Sequence, residues 1–163
     1  MNASAEIIDR VRRSYELMLD FYGMRLLDAE TGLVGRKEHG WKPRYQNLTR
    51  SPHNNLRITR IIKFMSIMSY PQYAAPFVLH VLSEQSEHGL LNTSMLQGSL
   101  DRWWANCNRD AGERDVVQDI VKRVRTASNA SSEEDRWVFT RDIYETMITA
   151  RAEGKGLALP PEA

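Results

Sequence analysis

Residues 51–69, SPHNNLRITRIIKFMSIMS, decide the fold of this 163-residue chain. Ser51 is a favourable N-cap, Pro52 is tolerated in the first helical turn, and Tyr70-Pro71 stops a helix, so the stretch predicts one long helix. Its apolar residues cover well over half of a helical wheel, which is typical of a central, buried helix. They are Leu56, Ile58, Ile61, Ile62, Phe64, Met65, Ile67 and Met68. We expect this helix to form the core of an all-α domain.

Helical periodicity continues on both sides of this stretch. Apolar residues recur at helical spacing from about Ala5 to Tyr22, and Gly23 then suits a left-handed cap. Downstream, the pattern predicts helices over about 75–86, 93–107 and 113–127, and a last helix that opens with a Ser131–Glu134 capping box and runs to about Ala152. Leu96, Leu100, Trp103 and Cys107 form one inward stripe of the helix over 93–107.

The segment from 24 to 50 carries turn signals but no sustained periodicity and no alternating strand pattern. A short helical turn around Pro43–Leu48 is its only predicted regular element. The sequence therefore predicts an all-α, single-domain orthogonal bundle of six or seven helices with a long loop after the first helix. The domain is expected to cover 1–153, and 154–163 to form a flexible C-terminal tail.

Composition excludes several classes of protein. The 42% hydrophobic and 26% charged residues are typical of a globular domain, and Cys107 alone cannot form an intrachain disulfide or a cysteine-rich zinc site. Residues 1–22 lack the pattern of a signal peptide and no apolar run is long enough to span a membrane, so we expect an intracellular protein, cytoplasmic or nuclear. Gly-rich phosphate loops and catalytic His or Ser motifs are absent, so we expect neither an enzyme nor a cofactor or metal.

Charge is unevenly distributed along the chain. Residues 36–63 hold eight Lys or Arg against the single acid Glu38, whereas the remaining chain holds fourteen basic and twenty acidic residues. Such asymmetry indicates either a basic patch for an anionic partner or internal pairing with acidic helices. Both interpretations stay open from the sequence alone.

The densest polar cluster lies at the start of the long helix predicted above. His53, Arg57 and Arg60 share a helix face at i, i+4 and i+7. Charged side chains that lie between apolar sides of a helix must form ion pairs within the protein or contact a ligand. We therefore select as candidate ligand-binding residues, for an anion or a peptide, His53, Asn54, Arg57, Arg60, Arg44 and Tyr45.

Three interpretations of this cluster remain. A helix N-terminus with two arginines can bind a carboxylate or phosphate on a small ligand or peptide. Basic residues interleaved with Trp41 and Tyr45 also suit single-stranded nucleic acid. In the third interpretation the cluster is a buried structural network, in which Arg57 or Arg60 pairs with Glu16 or Asp20 of the first helix.

Some stretches are long enough to compare with known families. They are RSYELMLDFYGMRL at 13–26, TGLVGR at 31–36, RYQNL at 44–48, and Ser51 followed by HNNLRITRIIK at 53–63. These stretches resemble the conserved N-terminal domain of the opioid growth factor receptor family. The resemblance is sharp over about residues 12–82 and weaker to about 125.

The resemblance implies an all-helical fold and a receptor for an enkephalin-type opioid peptide that restrains cell proliferation. It also implies association with the nucleus and with membranes, the latter without a transmembrane segment, and it brings no catalytic residues. The family's upstream Trp-Leu-Phe-Pro stretch and repeat-bearing C-terminal half have no counterpart in this chain. We predict a non-catalytic module that binds a peptide or protein, the alternative being binding of nucleic acid or an anionic surface through residues 36–63.

Overall fold

The computed structural model describes residues 3–68 and 70–161, except for the side chain of Ala3. Those ranges contain seven α-helices and one two-stranded sheet, so the predicted all-α class is confirmed. In chain order the elements are α1 (Ala3–Phe21), β1 (Met24–Leu26), β2 (Val34–Arg36), α2 (Trp41–Arg50), α3 (His53–Ile67), α4 (Ala74–His88), α5 (Ser94–Arg102), α6 (Ala111–Ser128) and α7 (Arg141–Ala152).

The start of the predicted domain, one predicted helix end and the end of the predicted tail lie outside the described residues. These are residues 1 and 2, Ser69, and residues 162 and 163 of the predicted tail. Within the tail, Leu157 is buried and Leu159 packs against the core. The flexibility of residues 154–163 stays a prediction.

A small β-hairpin follows α1, where the sequence predicted only a loop. β1 and β2 pair antiparallel, with Met24 opposite Arg36 and Leu26 opposite Val34. The strands are three residues long, too short for alternation to be recognisable in the sequence. The predicted turn near Pro43 is a full ten-residue helix, α2, and Ser51 lies at its C-terminal end instead of capping α3.

The central helix is α4, and the expectation that α3 would be the core helix was wrong. All thirteen residues from Ala74 to Ser86 are buried, because α3, α6, α7 and β2 all pack around α4. In α3 only one side is buried, and Leu56, Phe64 and Ile67 are 58%, 49% and 70% exposed. A helical wheel shows which side chains are apolar, but not which of them contact another element, because that depends on how the other elements pack.

Two further predictions, the cap of the last helix and the end of α5, are corrected by the structure. α7 is capped by Thr140, whose side chain accepts from Ile143 N, and not by Ser131. α5 ends at Arg102 and is followed by a 3₁₀ turn at Trp104–Asn106. This change of helical phase turns Trp103 out of the predicted inward stripe and buries Trp104 in its place.

Gly23 terminates α1 as the sequence predicted and also allows α2 to pack closely. Its φ of +85° lies in the left-handed region. A Cβ built there would lie 2.9 Å from both Arg44 Cβ and the Trp41 carbonyl oxygen. The glycine therefore serves both the helix cap and the contact between α1 and α2.

Gly23→Ala is expected to lower the free energy of unfolding by about 2 kcal/mol, because left-handed strain adds to a clash with backbone. Gly89→Ala is the matched control. Gly89 also has positive φ at a helix end, but a Cβ there has no neighbour within 4 Å, so its cost should stay below about 1 kcal/mol. Equal losses in chemical denaturation would show that close packing at Gly23 contributes nothing.

Candidate functional site

The structure divides the six predicted site residues between the interior and the surface. Tyr45 and Asn54 are 3% and 4% exposed. The other four side chains are exposed, and they are Arg44, His53, Arg57 and Arg60. The six side chains therefore do not share one exposed surface, because neighbouring positions on a helix can face opposite sides.

Tyr45 belongs to a buried polar network that the sequence analysis missed. Its hydroxyl lies 3.0 Å from His80 Nε2, and Arg141 Nη1 lies 3.0 Å from His80 Nδ1. Glu84, one turn after His80 on α4, accepts hydrogen bonds from Arg36 Nε at 2.8 Å and Arg36 Nη2 at 3.1 Å. The network joins β2, α2, α4 and α7.

The protonation of His80 follows from its partners. A guanidinium can only donate, so Nδ1 accepts from Arg141 and Nε2 carries the proton that is donated to the Tyr45 oxygen. Complete burial lowers the pKa of His80 to about 3, with the cations Arg141 and Arg36 acting in the same direction against Glu84. His80 is therefore neutral at physiological pH.

Glu84 stays ionised within the same network. Its burial would raise the carboxyl pKa, but hydrogen bonds and charge from Arg36 outweigh burial and hold that pKa below its usual value. Burial also raises the pKa of Tyr45 far above that of a free tyrosine. The Arg36 guanidinium is further held 4.1 Å from the centre of the Trp41 ring. This arrangement fixes the hairpin and α2 on the central helix.

The expected pairing of Arg57 or Arg60 with α1 is not found. Glu16 pairs with Arg12, and Asp20 pairs with Lys37. Of the basic segment, Arg36 and Lys37 are thus paired internally. Among the residues that the structure describes, no carboxylate lies within ion-pair distance of Arg57, Arg60 or Lys63.

The outward side of α3 combines these cations with exposed apolar side chains. We call it the α3 outer face, which consists of His53, Leu56, Arg57, Arg60, Lys63, Phe64 and Ile67. Leu56, Phe64 and Ile67 are large and about half or more exposed. Large exposed apolar side chains gathered among cations on one helix face are typical of an interaction site.

A groove runs along each side of the α3 outer face. The groove toward α1 measures about 400 Å³ and is lined mainly by apolar atoms, among them Val11, Met18 and Phe64. The groove toward α5 measures about 450 Å³ and includes Leu56, Met95, Trp103 and Lys63. Arg60 lines both grooves, so it lies on the ridge between them.

Several of these surface residues escaped the sequence analysis, which assigned Leu56, Phe64, Ile67 and Trp103 to the core. A signal was present, because α3 contains no Asp or Glu at all while α1 contains four. A helix that is apolar and basic without acids lacks the mixed charge of an ordinary solvent-facing helix.

The structure offers neither a metal site nor a membrane span in the ranges it describes. No group of three or more His, Cys, Asp or Glu side chains there could hold a metal ion. No helix in the described part of the chain has the length and hydropathy needed to cross a bilayer. Burial raises the pKa of the Cys107 thiol, which disfavours the reactive thiolate.

Comparison with known proteins identifies the family. The opioid growth factor receptor conserved region matches residues 1–136. The chain belongs to the opioid growth factor receptor family. The matched region covers the hairpin, α2, α3 and α4, and therefore both the buried network up to Glu84 and the α3 outer face. The resemblance found in the sequence is thereby confirmed.

Curated members of the family align with part of this chain. The human opioid growth factor receptor is 49% identical over 82 residues, which is 50% of this chain and 12% of the human protein. The mouse receptor is 44% identical over 100 residues, 61% of this chain and 15% of that protein. Mouse opioid growth factor receptor-like protein 1 is 42% identical over 79 residues, 48% of this chain and 17% of that protein. No solved structure gives a significant match.

Proposed function

We propose that this chain is a non-catalytic module that binds a peptide or protein partner on the α3 outer face. The single observation that carries the proposal is this face itself, with three large apolar side chains and three cations exposed together between two grooves. The name of the relatives, receptor for opioid growth factor, supports a peptide as the ligand class. The chain spans less than a fifth of those relatives, so their ligand is a proposal for this chain.

The state of two reactive groups supports the non-catalytic part of this proposal. His80 is fully buried and neutral, and its two ring nitrogens are already hydrogen-bonded to Tyr45 and Arg141. The Cys107 thiol is buried. A general base or nucleophile must reach its substrate, and these groups do not reach solvent. An intracellular setting, cytoplasmic or nuclear, belongs to the same proposal and comes from the sequence pattern of the N-terminus, whereas peripheral membrane association comes from the family resemblance.

The alternative is binding of nucleic acid or an anionic surface through the basic segment 36–63. The exposed cations of α2 and α3 are available for this binding, but Arg36 and Lys37 are not, because they form ion pairs with Glu84 and Asp20. The alternative also leaves the exposed apolar side chains without a role. This alternative predicts retardation of single-stranded DNA in a low-salt gel, with affinity that falls steeply as salt rises.

Peptide binding is expected to depend on both Arg57 and Phe64. Random peptides displayed on phage are panned against the chain, and the enriched peptides and a labelled enkephalin are then titrated by fluorescence anisotropy. Arg57→Ala and Phe64→Ala should each weaken binding about tenfold, the loss of one charge-assisted or buried contact. The melting temperature should change little, because both side chains are exposed.

Lys122→Ala and Leu17→Ala are the matched controls, since both residues are exposed and line neither groove. Binding should be unchanged in both. Failure to enrich any peptide, or peptides that bind the Arg57 and Phe64 variants as well as the original chain, would contradict the proposal. If peptides are enriched but enkephalin does not bind, the chain is still a peptide-binding module, but its ligand is not the opioid peptide.

A further inference from the structure

The spacing of the exposed side chains on α3 suits a second helix. The α3 outer face repeats in steps of three and four residues, at 53, 56, 57, 60, 63, 64 and 67. That period of seven is the one by which a helix presents a continuous stripe to a partner helix. An amphipathic helix laid into a groove between helices is a common mode of peptide recognition.

The positive charge of the α3 outer face favours a negatively charged partner. Arg57, Arg60 and Lys63 project from a helix that contains no acidic residue. Within the described residues none of the three has an ion-pair partner, and the two α1 acids that the sequence suggested as partners, Glu16 and Asp20, pair with Arg12 and Lys37. Complementary charge across an interface determines which partners bind and how fast.

The groove between α3 and α5 suits an apolar anchor. Leu56, Met95 and Trp103 are each more than half exposed around it, and Trp is enriched among the residues that dominate binding energy. Its polar lining includes Asn55, whose buried Oδ1 has no hydrogen-bond partner in the described structure. Lys63 and Arg60 line the same groove, so apolar and cationic contacts lie side by side.

We propose that the α3 outer face and the α3–α5 groove bind an amphipathic helix of a partner protein whose apolar stripe is flanked by Asp or Glu. The apolar stripe packs on Leu56, Met95 and Trp103 in the groove, and the flanking acids pair with Arg60 and Lys63, which line the same groove. This inference rests on the proposed function and specifies its partner.

Three synthetic helical peptides test this inference. They share one leucine stripe, and their flanking positions are all Glu, all Gln or all Lys; a fourth, Glu-rich peptide lacks the stripe. Fluorescence anisotropy should show the Glu peptide binding at least tenfold more tightly than the Gln peptide, and the Lys peptide most weakly. The Glu-rich peptide without the stripe should bind at least tenfold more weakly than the complete Glu peptide.

Variants of the chain separate the two kinds of contact. The double variant Arg60→Ala/Lys63→Ala should bring the Glu and Gln peptides to within about threefold of each other, with the Gln peptide little changed. Trp103→Ala should weaken both peptides by a similar factor, since it removes the apolar contact. Lys122→Ala, a cation on α6 outside both grooves, should leave all affinities unchanged.

The possible results distinguish the partner class from the binding function. A Glu peptide that binds no better than the Gln peptide would overturn the acidic partner while leaving the binding module intact. If none of the helical peptides binds but peptides selected by panning do, the partner is not an amphipathic helix. If the Glu-rich peptide without the stripe binds as tightly as the complete Glu peptide, the interaction is general charge attraction and the apolar groove plays no part in it. Absence of binding by every peptide, selected ones included, would remove the proposed function as well.

Discussion

Replacing Glu84 with alanine is expected to lower the free energy of unfolding by about 3 kcal/mol, because it leaves Arg36 without its charge partner beneath the hairpin. The Glu84 side chain is 5% exposed and receives both hydrogen bonds of the Arg36 fork. A buried ion pair adds little over an apolar replacement of both partners, but removal of one partner alone is costly. Urea denaturation followed by circular dichroism measures the loss.

Asp20→Ala is the matched control for this prediction. Asp20 pairs with Lys37, the residue next to Arg36, at 2.8 Å, but its side chain is 57% exposed. Exposed pairs contribute at most about 1 kcal/mol, so this variant should unfold almost as the original chain does. Losses of similar size in the two variants would mean that the buried network does not hold the hairpin in place.

His80 is expected to make the fold sensitive to mild acid. Its pKa is about 3 in the folded chain, lowered by burial, against 6.5 for an ordinary histidine. The unfolded chain therefore binds a proton that the folded chain does not, and stability present above pH 6.5 is lost as the pH falls toward 3. Between pH 7.5 and 5 the loss from His80 alone should reach about 2 kcal/mol.

Groups that face His80 from several elements favour this neutral state. They are the cations Arg141 of α7 and Arg36 of β2, while Glu84 of α4 opposes them and the Tyr45 hydroxyl of α2 contacts Nε2. Carboxylates keep most of their charge down to pH 5, so the window from 7.5 to 5 separates histidines from carboxylates, and a His80 variant separates His80 from the other three histidines. Unfolding free energies should be measured across this window for the chain and for His80→Gln.

The glutamine variant should be less stable at pH 7.5 but should lose much less stability on acidification. The difference between the two pH profiles is the readout, because it does not depend on the absolute cost of the substitution. Parallel profiles would contradict the assignment of a neutral, buried His80. Destabilisation of the chain as pH rises from 5 to 7.5 would contradict it in sign.

The basic segment serves both structure and surface. Arg36 and Lys37 attach the hairpin to α4 and α1, whereas Arg57, Arg60 and Lys63 stay on the α3 outer face. Internal pairing therefore applies to Arg36 and Lys37, and a basic patch for an anionic partner stays a proposal for the exposed cations. Sequence counts of charge could not divide it, since pairing depends on acids that lie far away in the chain, such as Glu84.

Helix positions were largely predictable because they depend on local spacing. The bounds of α1, α4 and α6 differ from the predicted ones by about two residues, and Gly23 and Gly89 end their helices in the left-handed conformation. Local patterns failed where packing decides. The three-residue strands are held by their contacts with α1 and α4. Their sequences are too short to show an alternation of polar and apolar residues from which strands could be predicted.

Candidate site residues were less predictable, for a related reason. His53, Arg57 and Arg60 do share the exposed face that their spacing predicted. Tyr45 belongs instead to the network around His80, a residue that the sequence analysis did not select. A polar network assembled from four elements leaves no spacing signal in any one of them.

The sequence by itself determined the helical class, the family and the face of α3 on which the cations lie. Periodicity and the residues of one helix are sufficient for these, because they are properties of neighbouring positions. Only the tertiary structure decided that α4 is the central helix, that Arg36 and Glu84 form a buried pair, and that Phe64 faces outward. Burial is a property of the elements that surround a residue, and their arrangement is set by the whole chain.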